Sequence, residues 1–285
     1  MALNLLKSGK RLTVSSADTK SYAEFESHGV RTTTQPHELA SADVVFLSLP
    51  NGEAVSDVLV GEAGIANLMK PGQTIVDTST IGYGVTLELA HKLRERGIHF
   101  IDAPVSGMEA RAIDGTLAVM CGGDATALDS VKPFLETFAS TIEHMGEVGS
   151  GQLAKLVNQL LFDMNCAALA EILPMAAKLG LDPEKTGRIV NSGTGRSYAS
   201  EFFIPRILQD HFSDGYPMRH AYKDLVSAAE LGARAGIPMP VLAAATATFQ
   251  MALLKGFGDD DKGGMIKVFE DLNGASFRRD ATETQ

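Results

Sequence analysis

"QTIVDTSTIGYGVTLELAHKLRERGIHFIDAPVSG", residues 73–107, sets two strand-like runs around a helical one. Its two ends, "QTIVDTST" (73–80) and "IHFIDAPVS" (98–106), are apolar with β-branched content and close on polar or turn residues. Between them "GVTLELAHKLRERG" (84–97) places its apolar residues at helical spacing and stops on Gly97. Strand, helix, strand in that order is the unit from which parallel sheets are built.

The same alternation extends outward in both directions. "RLTVS" (11–15) and "DVVFLSLP" (43–50) read as earlier strands, and "SYAEFESHG" (21–29) and "NGEAVSDVLVGEAG" (51–64) as helices. Downstream, "GTLAVMCGG" (115–123) and "TIEHMG" (141–146) are strand candidates flanking the helical "ATALDSVKPFLETFA" (125–139). Near-continuous apolar strands between helices predict an α/β, doubly wound parallel sheet covered on both faces. After Gly149 the strand signal ends and helical periodicity runs to the C-terminus, with Asp182 reading as a helix cap. Two domains are therefore expected, an α/β domain over 1–149 and an all-α domain over 150–285.

Composition narrows the function classes. The chain has 285 residues, 45% hydrophobic and 21% charged, with a formal net charge of −10, which is the balance of a globular protein. That charge, with no Lys/Arg cluster, argues against a nucleic-acid partner. Two cysteines without a CxxC or Cys/His neighbour give no disulfide framework and no zinc site. No uninterrupted apolar run reaches the ~18 residues of a membrane span. The cytoplasm and a small-molecule partner, with no membrane partner, are the expectations.

"GSGQLAKLVNQLLFDMN" (149–165) opens a long apolar helix that carries Lys155 and, three residues on, Asn158. By spacing alone Gln152, Lys155, Gln159 and Asp163 form a solvated face of an amphipathic helix. Against that stand the polar and turn-rich strand ends: Ser15-Ser16, Leu49-Pro50-Asn51, Asp77-Thr78-Ser79-Thr80 and Asp102 to Gly107. Any one of them is a helix cap or a turn. Four along one sheet edge, where open α/β sheets bind ligands, outline a crevice suited to a nucleotide and a small acid.

"DAPVSG" (102–107), "AIDGTLAVMCGG" (112–123), "GQLAKLVN" (151–158) and "KDL" (223–225), in this order, resemble the β-hydroxyacid dehydrogenases over essentially the whole chain. The resemblance implies a Rossmann-like domain followed by an all-helical one, NAD or NADP as cofactor, and a small carboxylate substrate. It implies that Lys155 is catalytic, moving a proton to or from the substrate oxygen and stabilising negative charge there. It further implies that Ser106, Gly107 and Asn158 bind substrate, and that Leu49, Pro50, Thr80 and Lys223 line the cofactor. The apolar helical half predicts a homodimer or higher oligomer.

Three departures accompany the resemblance. Met108 stands where the family carries a second glycine, which narrows or shifts the substrate loop. The end of "TVSSADTK" (13–20) offers neither the acidic residue of an NAD site nor the Arg of an NADP site; the reading leans to NAD. The largest is the lack of a strand and G-x-G-x-x-G loop at the start. The expectation is a chain truncated at its N-terminus, its sheet missing the central strand and its cofactor affinity weakened. That loss keeps a non-catalytic scaffold on the same fold as the alternative. An imine reductase is a second alternative, opposed by Lys155.

Overall fold

A computed structural model describes residues 1–279. The chain forms two compact units, Met1–Lys155 and Leu156 onward, so the boundary falls inside one helix.

The first unit alternates as the sequence predicts. Its elements are α1 (Ala2–Lys7), β1 (Thr13–Ser15), α2 (Tyr22–Glu26), β2 (Arg31–Thr33), β3 (Val44–Leu47), α3 (Gly52–Val60) and β4 (Thr74–Asp77). There follow α4 (Tyr83–Arg94), β5 (His99–Asp102), β6 (Val105–Ser106), α5 (Met108–Asp114), β7 (Leu117–Gly122), α6 (Ala125–Leu135) and β8 (Ala139–Gly146). Successive strand residues point to opposite faces, and both faces here are covered. Ile75 and Phe100 pack with Val55, Leu59, Leu89 and Leu93 of α3 and α4. Their neighbours Val76 and Ile101 pack on the other side with Leu5 of α1 and Leu128, Val131 and Leu135 of α6.

Two features differ from an all-parallel sheet. First, β3, β4 and β5 are parallel, but β7 runs antiparallel to both β5 and β6, and β8 returns parallel to β7. The seven-residue α5 between β6 and β7 is too short for the dozen-residue crossover that a parallel neighbour needs. Second, the strands form two sheets. β1 pairs with β2, a strand not expected from the sequence, while the other six form their own ladder. Among the described residues no strand joins β1 to β3.

The second unit is helical. The long helix α7 (Ser150–Lys178) is followed by α8 (Pro183–Ser192), α9 (Tyr198–Ile207), α10 (Met218–Ala235), α11 (Pro240–Leu254) and α12 (Ile266–Asn273). Asp182 caps α8 as expected, accepting the Lys185 N–H at 2.7 Å. The core gathers Leu173 of α7, Phe203 and Ile207 of α9, Leu225 of α10, Phe249 of α11 and Ile266 of α12.

Asp163 of α7 and Lys262 form a fully buried ion pair beside this core, with the Lys262 ammonium over the Phe162 ring. By length and composition α7 could cross a bilayer. It does not stand out as an apolar run in the sequence because Gln152, Lys155, Gln159 and Asp163 interrupt it. Core helices of globular domains pass the same test, and Leu173 sits 2% exposed in this core.

Candidate active site

The first turn of α7 is built into the sheet edge by three contacts. Gly149 and Gln152 donate their backbone N–H groups to the two oxygens of Asp102, at 2.6 and 2.8 Å. Asp102 ends β5, so a strand-end carboxylate does the work of a helix N-cap, where anions also meet the positive end of the helix dipole. Gly151 explains itself sterically: a Cβ there would lie 2.3 Å from the Met120 carbonyl oxygen and 2.6 Å from that of Asp102. Only glycine lets the helix start this close to the strands.

Gln152 ties the same turn to the loop after β4. Its amide donates to the Ser79 carbonyl at 2.8 Å and accepts the Ile81 N–H at 3.2 Å. Ser79 in turn accepts the Leu49 N–H at 2.8 Å on its hydroxyl oxygen, and the Thr78 hydroxyl donates to the Leu47 carbonyl at 2.6 Å. The loops after β3, β4 and β5 and the start of α7 are thus one hydrogen-bonded network. Leu49, Pro50 and Thr80 lie within it or directly beside it. Lys155 follows Gln152 by three residues, on the same helix face, and is only 8% exposed.

The solvated-face reading of α7 is therefore wrong. Gln152, Lys155 and Asp163 are buried; Gln152 bonds to the Ser79–Ile81 loop and Asp163 to Lys262. Spacing shows that polar residues share a side but not which side faces water.

Two carboxylates sit at the root of this network. Asp77 and Asp102 are register partners on β4 and β5, and both are fully buried. Burial pushes the Asp77 carboxyl up to about 6, opposed by hydrogen bonds from Ser79 and reinforced by the nearby Asp102 charge. Its Oδ1 accepts the Ser79 N–H at 2.9 Å, while Oδ2 has no hydrogen-bond partner among the described residues. Burial also raises Asp102, against the pull of the backbone N–H groups it accepts. Neither residue was singled out for a role by the sequence, although both lie in its strand-end segments.

Ser106 pairs with Ala118 on the short β6, and Gly107 follows with φ 138°. Met108 also has a positive φ, 60°, a conformation that costs a residue with a Cβ about 1–2 kcal/mol. The departure noticed in the sequence is thus a non-glycine residue in a backbone position suited to glycine. Asn158 and Lys223 belong to the second unit, Asn158 exposed on α7 and Lys223 half-buried on α10.

The strand ends suit part of a dinucleotide. Ser48, Pro50 and Asn51 are exposed and Thr80 half-exposed, leaving a shelf of small side chains at the carboxyl edge of parallel strands, where such cofactors bind. This fits the nicotinamide end. A glycine-rich loop for the pyrophosphate is not present in the 285 residues.

Residues 1–146 match the NAD-binding domain of 6-phosphogluconate dehydrogenase, and residues 149–269 the NAD-binding domain of NADP-dependent 3-hydroxyisobutyrate dehydrogenase. The chain belongs to the β-hydroxyacid dehydrogenase family. Within the family it is 36% identical to 2-(hydroxymethyl)glutarate dehydrogenase of Eubacterium barkeri, over 97% of this chain and 92% of that protein. It is 30% identical to 2-hydroxy-3-oxopropionate reductase of Escherichia coli, over 95% and 92% of the two chains. Among solved structures, 3-hydroxyisobutyrate dehydrogenase from Salmonella typhimurium superposes with a TM-score of 0.85 at 27% identity, over 94% of each chain.

Proposed function

We propose that this protein transfers a hydride between NAD(P) and a small β-hydroxy acid or its semialdehyde, with Lys155 as the general acid/base. The observation that carries this reading is the burial of Lys155, on a helix turn anchored by Asp102 and Gln152 to the loops at the sheet edge. An ammonium-bearing side chain is seldom buried without a function. The family relatives point to the substrate class. 2-(Hydroxymethyl)glutarate and 2-hydroxy-3-oxopropionate, the compounds in their names, each carry an alcohol or aldehyde carbon one carbon removed from a carboxylate.

A bound nicotinamide dinucleotide would supply the hydride acceptor, held by Leu49, Pro50, Thr80 and Lys223. In alcohol oxidation the Lys155 amine accepts the substrate hydroxyl proton, and in the reverse direction its ammonium donates a proton to the carbonyl oxygen. The positive charge stabilises negative charge on that oxygen as it develops. Ser106 and the Gly107 backbone N–H bind the carboxylate, and the Asn158 amide hydrogen-bonds the substrate. NAD is favoured over NADP because the turn after β1 carries no Arg to meet a 2′-phosphate. The chain acts as a homo-oligomer.

The second reading is a scaffold that keeps the fold without turnover. A screen of 3-hydroxyisobutyrate, glycerate and 2-(hydroxymethyl)glutarate with NAD+ and NADP+, run beside 6-phosphogluconate as a phosphorylated control and followed by reduced-nicotinamide absorbance, separates the two. Turnover of at least one of these acids is expected. Activity confined to phosphorylated sugar acids overturns the substrate class, and inactivity with every acid and both cofactors favours the scaffold.

A further inference from the structure

Arg111 of α5 folds back over the Ser106–Gly107 loop. A Cβ placed on Gly107 would lie 2.7 Å from the Arg111 Cδ and 2.8 Å from its Cβ. The aliphatic stem of Arg111 therefore crosses the Gly107 backbone on the side where a side chain would stand. Only glycine leaves it that path. The guanidinium begins one bond beyond Cδ, so its charge sits at this loop.

That charge is uncommitted. Arg111 is exposed, and among the described residues its side chain makes no hydrogen bond or ion pair, even with Glu109 and Asp114 of the same short helix. Covering apolar surface is the usual reason for an arginine stem to fold back, but Gly107 has no side chain to cover. A guanidinium presents a planar fork of donors that matches a carboxylate in bidentate fashion. Ser106 and the Gly107 N–H are the donors assigned above to the substrate carboxylate. The Gly107 N–H points along its peptide plane, whereas the Arg111 stem lies on the Cβ side, so the two face different positions. One loop thus carries donors for one carboxylate and a separate cation for another.

We infer that Arg111 is a specificity residue that binds a second carboxylate, making a β-hydroxy dicarboxylic acid the preferred substrate. The inference rests on the proposed function and narrows its substrate class.

Three acids test it. 3-Hydroxyisobutyrate and 2-(hydroxymethyl)glutarate share the carboxylate and the reacting hydroxymethyl carbon. They differ only in the third arm, a methyl group in the first and a carboxyethyl group in the second. 2-(Hydroxymethyl)pentanoate carries an uncharged propyl arm with as many carbons as the carboxyethyl one. The wild type should show its highest kcat/KM with the dicarboxylate, and added salt should erode that preference. Arg111→Met keeps the stem through the δ position and removes the charge. It should lower kcat/KM for 2-(hydroxymethyl)glutarate by about 10–100-fold, mainly through KM, the scale of a hydrogen bond to a charged group. Turnover of the other two acids and the melting temperature should stay nearly unchanged. Arg111→Lys, a charge without the planar fork, should fall between the two.

An equal fall for all three acids in Arg111→Met puts the guanidinium on the shared carboxylate and overturns the proposal. An unchanged preference in that variant overturns it too, as does a wild type that prefers 3-hydroxyisobutyrate; the function reading survives each of these results. Absence of turnover with every acid overturns the function reading instead, and calorimetric titration of 2-(hydroxymethyl)glutarate then decides this one. Binding by the wild type that is lost in Arg111→Met supports it, and equal heats or none from the two proteins overturn it.

Discussion

The Asp102 carboxylate accepts the backbone N–H of Gln152 at 2.8 Å, fixing the end of β5 and the first turn of α7 as one piece. The helix that carries Lys155 is therefore positioned by a strand.

Asp102→Ala leaves the Gly149 and Gln152 N–H groups buried without their acceptor. Each orphaned donor costs about 1–3 kcal/mol, so urea denaturation should show a loss of roughly 2–6 kcal/mol, read as a lower midpoint at unchanged slope. A midpoint equal to that of the wild type would show that Asp102 does not hold the helix.

Met108→Gly removes a side chain from a left-handed backbone position, φ 60°. Relief of about 1–2 kcal/mol of strain outweighs the ~0.5–1 kcal/mol entropic penalty of glycine, so the melting temperature should hold or rise slightly. The freed space beside Ser106 and Gly107 should raise kcat/KM for bulkier acids relative to the best small one. A fall of several degrees, with unchanged substrate preference, would contradict both parts.

Asp77 gives a pH dependence of known sign. Its carboxyl rises from 3.8 in the unfolded chain to about 6 in the fold, so the folded state binds the proton more tightly. Stability contributed by this group is complete at low pH and declines as pH rises from about 4 through 6, by on the order of 3 kcal/mol. Asp77→Asn mimics the neutral form and removes the decline. Denaturation of both proteins across this range should show the variant gaining on the wild type as pH rises. A gap that is constant with pH, or that shrinks, would refute the assignment.

Much of this was legible in the sequence because physics constrains it locally. β4 and β5 show as apolar runs since both faces of the sheet are covered, and Asp182 shows as a cap from its place before a helical period. β2 was not legible: Arg-Thr-Thr has no apolar pattern, and only its pairing with β1 makes it a strand. The roles of Gln152 and Asp102 were hidden for another reason. They join residues 50 apart in the chain, and helical spacing gives a polar face without saying whether it meets water or the protein. Lys155 stands out in the sequence only through its motif, and the structure adds the burial that spacing could not supply. The antiparallel turn at β7 depended on the length of α5, which the sequence did not delimit.

The proposed proton transfer by Lys155 is open to a direct measurement. The measurement is steady-state turnover of Lys155→Ala on the best acid from the substrate screen, with cofactor affinity measured in parallel by nicotinamide fluorescence. Proton transfer by Lys155 requires a fall in kcat of ~10²–10⁴-fold, the usual worth of a positioned acid/base, with cofactor affinity nearly unchanged. Turnover close to that of the wild type would contradict it.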